Sequence, residues 1–334
     1  MKKSLYILSV LLISIPAIFF LGPRPQFDAV DSNIPAFNIT LDSLDGYLTW
    51  KESQVKNLKP NNQSQIIWYD SVRTTEYAMV YLHGFSAGIQ ESDPVHRVLA
   101  KKFGMNLYLH RLPDHGINDP EVFRNITPAD LLNSAKEALA IGRVIGEKLV
   151  ILSCSTGGTY SIYLTSHNPE LAYAQILYSP NIRLYDSKAS LLTGPWGLKM
   201  VKNLVGEYRV ALDTFYGTEI ENYWTLKYRS EGIIALQELL EQTMTNDVFE
   251  KIESPYFMGY YYKTDEESDH VVSTQAMLEF DQMTSTPDSH KKVVAFPEVG
   301  NHVIASDLRS EDLESVIEET SQFIENTLGI EPIK

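Results

Sequence analysis

The string Ser153-Cys154-Ser155-Thr156-Gly157-Gly158 follows an apolar stretch, Lys148 to Leu152, and opens what reads as a helix. A serine nucleophile on a sharp strand-to-helix turn needs small residues two places to either side, because its backbone is strained and strand and helix pass close by. Ser155 has them in Ser153 and Gly157. The same string also reads as a helix N-cap formed by Ser155, so context must decide. Thr156 N–H would sit at the helix N-terminus, where backbone donors and the dipole favour an anion. A second donor is expected from the loop His83-Gly84-Phe85-Ser86-Ala87-Gly88, which follows the apolar run Ala78 to Leu82, and Phe85 N–H is the candidate. His83 also reads as a residue that holds this loop by hydrogen bonds. Two such donors suit the oxyanion of acyl transfer, each worth roughly 3 kcal/mol of barrier.

Serine at its ordinary pKa is a poor nucleophile and needs a base. Among the eight histidines, His302 in Gly300-Asn301-His302 is placed best, after the run Lys291 to Phe296. His115, in Pro113-Asp114-His115-Gly116, reads as a loop organiser; His96, His110, His167, His270 and His290 lack a comparable position. A carboxylate must fix the tautomer of His302. Asp269, after the run Tyr256 to Tyr262, is the first choice, with Asp265 and Asp186 as alternatives.

Apolar runs and amphipathic stretches alternate along the chain. Strands are expected at Ile66–Tyr69, Ala78–Leu82, Asn106–His110, Lys148–Leu152, Ala174–Tyr178, Tyr256–Tyr262 and Lys291–Phe296. Helices are expected at Leu44–Lys56, Pro94–Phe103, Pro128–Ile145, Ser155–His167, Ile233–Thr243 and Glu311–Leu328. Repeated strand–helix units predict an α/β fold with a mainly parallel central sheet and helices on both faces. Ligands of such sheets collect at the carboxyl ends of the strands, which is where all the candidates lie.

The formal net charge of −15 disfavours a nucleic-acid partner, whose phosphates need basic surface. A single cysteine, Cys154, excludes an internal disulfide framework and a cysteine-rich zinc module, and it reads as buried.

In these motifs the chain resembles the α/β-hydrolase fold serine hydrolases. The order Ser155, Asp269, His302 matches that family's nucleophile, acid and histidine, and His83-Gly84-Phe85 resembles its oxyanion loop. Arg111-Leu112-Pro113-Asp114-His115-Gly116 resembles the R-G-H-G loop of its monoacylglycerol-lipase-like and small carboxylesterase members. Ser153 in place of the first elbow glycine, and Pro113-Asp114, are departures. The resemblance spans about Ile66 to Leu328. It implies an ester hydrolase working through an acyl-enzyme on Ser155, with no metal or organic cofactor and a small-molecule ester as partner. It also implies a helical lid inserted at about 186–230, rich in residues such as Trp196, Phe215 and Trp224, which points to an apolar substrate. Amide, peptide or thioester hydrolysis, acyl transfer, and a non-catalytic binding role stay open.

Lys2 and Lys3 precede an apolar run from Leu5 to Leu21, ended by Gly22-Pro23-Arg24-Pro25. This reads as a signal peptide or N-terminal membrane anchor over residues 1–22. As a helix it would rise roughly 25 Å, slightly under a hydrocarbon thickness of about 30 Å. An exported, extracytoplasmic or periplasmic protein is expected, with an N-terminal extension at 23–65 and the hydrolase domain at 66–334. Asn38, Asn62 and Asn125 are sequons, of consequence only in a eukaryotic secretory pathway.

Overall fold

A computed structural model describes residues 20–333. The expected export segment lies almost wholly outside the described residues; among those, no helix is long and apolar enough to cross a membrane.

Strands β1 (Gln65–Ile67), β2 (Thr75–Leu82), β3 (Asn106–Leu109), β4 (Gly146–Cys154), β5 (Ala174–Tyr178), β8 (Tyr256–Tyr261) and β9 (Lys291–Phe296) form one sheet; β6 (Tyr208–Val210) and β7 (Lys227–Arg229) form a separate antiparallel pair. The order in the large sheet is β1-β3-β2-β4-β5-β8-β9. Only β1 runs antiparallel to its neighbour. The inner strands are near-continuous apolar runs because helices cover both faces. One buried cluster, including Val80, Ile151, Leu177 and Met258, fills one side; a second, including Tyr81, Leu152, Tyr178 and Phe257, fills the other.

Among the described residues the longer helices are α1 (Leu44–Ser53), α2 (Val95–Lys102), α3 (Pro128–Ile145), α4 (Thr156–His167), α5 (Gly197–Val205), α6 (Glu231–Thr243), α7 (Thr274–Met283) and the closing helix α8 (Leu313–Asn326). Helix α3 starts where its sequence predicts: Thr127 and Asp130 form a reciprocal capping box and Pro128 occupies the first turn. Helix α7 and the pair β6–β7 are not anticipated by the sequence reading. Ser273 caps α7 by accepting from Ala276 N–H, and Ala276, Met277 and Phe280 bury its inner face.

The register sets the site. Leu82 pairs with Ser153, Cys154 with Tyr178, Tyr178 with Gly259 and Tyr261 with Phe296, so the carboxyl ends of β2, β4, β5, β8 and β9 form one edge. Residues 23–65 pack on the core through Phe27, Val30, Ile34, Phe37, Leu44 and Leu48. Over the carboxyl edge, Trp224 and Leu226 make a small buried cluster with Ala87 and Val303. Thr225 N–H donates to Ser86 O (2.7 Å), and Lys59 Nζ donates to the carbonyls of Glu221 and Trp224 (2.8 and 2.9 Å). Asn62, 2% exposed, donates to Pro60 O and Asn222 O (3.0 and 2.9 Å), so the folded chain buries this sequon.

Candidate active site

Ser155 joins β4 to α4 with φ 53° and ψ −120°, a conformation that costs a side-chain-bearing residue about 1–3 kcal/mol. Its N–H donates to Tyr178 O (3.0 Å), and its carbonyl accepts from Gly158 and Asn181 N–H (both 2.9 Å). A Cβ on Gly157 would lie 1.9 Å from Leu82 O, so only glycine lets α4 start this close to β2. Ser153 is buried and donates to Ile176 O (3.3 Å), which explains how serine serves at the first small position. Cys154 is buried, and burial pushes its thiol pKa well up. Thr156 is the first residue of α4, so its N–H has no intrahelical acceptor.

The loop after β2 is held by two histidines. His83 Nδ1–H and Ala87 N–H both donate to Gly84 O (2.8 and 3.3 Å), and that carbonyl shares a planar peptide with Phe85 N–H. Anchoring the carbonyl aims the N–H the other way; among the described residues it meets no acceptor. His83 Nε2 accepts from Leu112 N–H (3.1 Å). His115 donates from Nδ1 to Pro113 O (2.7 Å) and accepts Ser86 N–H at Nε2 (2.9 Å). Each ring is therefore neutral, one nitrogen donating and one accepting. Burial pushes His83 down to about 4 and His115 well below its ordinary value.

His302 Nδ1 meets Asp269 Oδ2 at 2.6 Å, and Asp269 Oδ1 accepts from Val271 and Val272 N–H (2.8 and 3.1 Å). The carboxylate accepts at both oxygens, which makes Nδ1 the protonated nitrogen and leaves Nε2 as the basic one. Burial alone would lower the His302 pKa. The Asp269 charge and hydrogen bond outweigh it, so the pKa lies above its ordinary value, with Glu91 adding and Arg309 opposing. Asn301 braces the loop, donating to Arg309 O (2.6 Å) and accepting Val303 N–H (2.9 Å). Ser179 Oγ donates to His302 O (2.8 Å), so the segment Tyr178–Asn181 holds both Ser155 and His302. Ser155 Oγ makes no hydrogen bond among the described residues.

The other candidate acids lie elsewhere: Asp265 is exposed and accepts from Tyr262 OH (2.8 Å), and Asp186 caps a 3₁₀ turn by accepting Lys188 N–H (3.0 Å). His110 bridges Tyr108 OH and Ser134 Oγ, and His96 contacts Ile89 O. The buried carboxyl of Glu91 and the guanidinium of Arg309, which lies 4.7 Å over the ring of Phe215, are neighbours of the site that sequence reasoning missed. Neither carries a motif.

No protein-family model and no curated protein matches the sequence. Solved structures do match. A lipolytic enzyme of the metagenome-derived set LipS and LipT aligns with TM-score 0.61 at 16% identity, over 80% of this chain and 98% of the other. The monoacylglycerol lipase of Paleococcus ferrophilus aligns with TM-score 0.57 at 13% identity, over 78% and 97%. Est1E from Butyrivibrio proteoclasticus aligns with TM-score 0.52 at 14% identity, over 80% and 94%. The fold is that of the α/β hydrolases. In an α/β hydrolase the nucleophile's place is the strained turn between strand and helix at the top of the sheet. Here Ser155 occupies that turn, between β4 and α4.

Proposed function

We propose that this protein is a serine hydrolase that cleaves a carboxylic ester of a small apolar molecule through an acyl-enzyme. The observation that carries this reading is the 2.6 Å Asp269–His302 pair held by the same segment as the strained Ser155 turn. The solved neighbours include lipases and esterases, which supports the ester among acyl substrates. The aromatic and aliphatic cluster of Trp224, Leu226 and Val303 supports an apolar substrate, with residues 186–230 acting as a lid.

Ser155 Oγ bonds to the acyl carbon while His302 Nε2 takes its proton. The carbonyl oxygen becomes an oxyanion bound by Phe85 and Thr156 N–H. Collapse breaks the bond to the alkoxy oxygen, to which His302 returns the proton. Water then repeats the sequence on the acyl-enzyme and frees the acid, with Asp269 steadying the imidazolium both times. Export through the apolar run after Lys2 and Lys3 belongs to the same proposal.

The test is labelling with a fluorophosphonate and turnover of p-nitrophenyl esters by the wild type and Ser155→Ala. One label per chain, lost with hydrolysis in the variant, is the expected result. Persistent turnover in Ser155→Ala overturns the assignment. Faster cleavage of aminoacyl anilides or acyl-CoA than of any ester would move the reaction to amides or thioesters.

A further inference from the structure

Glu91 stands in the short 3₁₀ turn Ile89–Ser92, 3% exposed, and the mechanism above leaves it unused. Its Oε2 accepts Gly84 N–H at 2.5 Å and the Tyr81 hydroxyl at 3.2 Å. A Cβ at Gly84 would lie 2.7 Å from Glu91 Oε1 and 2.9 Å from Ser155 Cβ, so one glycine separates the carboxyl from the serine. The same turn grips the segment after His302. Ser306 Oγ donates to Gln90 O (2.8 Å), Gln90 Nε2 to Asp307 Oδ1 (3.1 Å) and Asp307 N–H to Asp93 O (2.9 Å). The turn therefore ties the loop after β2 to the loop after β9.

We propose that Glu91 is a positioning residue of this site: its carboxyl locks Gly84, and with it the Phe85 donor, while its negative charge joins that of Asp269 in steadying the His302 imidazolium. This rests on the serine-hydrolase reading. Tyr81, the Cys154 thiol, His302 and Arg309 face the carboxyl, while His96, Asp93 and Asp307 flank its turn. Burial raises the carboxyl to about 7, so its charge appears near neutrality, in the range where the histidine must shed its proton.

Glu91→Gln keeps an oxygen for Gly84 N–H and removes the charge; Glu91→Leu removes both. Full-length wild type and both variants are compared on a p-nitrophenyl ester from pH 5 to 9, with circular dichroism as the folding check. In Glu91→Gln the plateau kcat stays within about threefold of wild type, and the acid limb of kcat/KM moves to lower pH by about half a unit to one unit. In Glu91→Leu, kcat falls about ten- to a hundredfold with KM nearly unchanged, because the displaced donor acts on the transition state. An acid limb that stays put in Glu91→Gln, or an undiminished kcat in folded Glu91→Leu, overturns the proposal; if Glu91→Leu does not fold, Glu91→Gln alone decides. A wild type that neither labels with fluorophosphonate nor hydrolyses esters overturns the underlying reading instead.

Discussion

Asp269 gives one oxygen to His302 and the other to two backbone N–H groups, so an amide in its place can keep the backbone bonds only by turning its NH₂ toward the imidazole. That selects the wrong tautomer. Asp269→Asn is therefore expected to lower kcat by about three to four orders of magnitude with little change in Tm; a loss under tenfold in a steady-state assay would contradict the role. His83 and His115 give a different signature. Their folded pKa values lie below the ordinary 6.5, so the folded state takes up their protons less readily than the unfolded chain. Their contribution is complete above about pH 6.5 and is lost as the pH falls, on the order of 3 kcal/mol for His83 by pH 4. His302, with its raised pKa, works in the opposite direction and loses its contribution as the pH rises. Thermal melts should show Tm dropping between pH 6.5 and 4; a flat Tm would contradict neutral, buried rings.

At the scale of elements, residues 208–229 are tied to the rest by several contacts, among them Thr225 to Ser86, Arg229 to Val122, Asn62 and Lys59 to backbone carbonyls, and the Trp224 cluster. Trp224→Ala should loosen this segment alone. Amides at 208–229 are expected to exchange about tenfold faster by hydrogen–deuterium mass spectrometry, while the sheet strands keep their protection. Equal acceleration in β4 would show that the segment is part of the core. The sheet was readable because its strands are short apolar runs closed by turn residues, and Ala174–Tyr178 and Lys291–Phe296 match to the residue. Asp269 and His302 share that legibility, since each follows such a run. Glu91 does not: its bond to Gly84 depends on a 3₁₀ turn folding back, which no periodicity records. The pair β6–β7 is likewise hidden, being three residues long on each side and exposed on Arg209 and Val210.

For the whole molecule, residues 23–65 contribute apolar side chains to the hydrophobic interior. Leu44 and Leu48 are buried, and Glu52 pairs with buried Arg111 at 2.8 Å. A chain starting after residue 64 would expose that apolar surface and leave Arg111 uncompensated, a loss of about 3–5 kcal/mol from the charge alone. It is expected to aggregate, whereas a chain starting at Pro23 should elute as a folded species in size-exclusion chromatography. Soluble, cooperative melting of the shorter chain would show the extension to be dispensable. Asn62, in this same extension, is buried against the segment after β5, donating to Asn222 O. Oligosaccharide transfer acts on nascent polypeptide, before any such enclosure exists. Recombinant production in yeast or insect secretion would thus attach a glycan where the finished protein has no room, whereas a bacterial host, or an Asn62→Gln gene, avoids the obstruction.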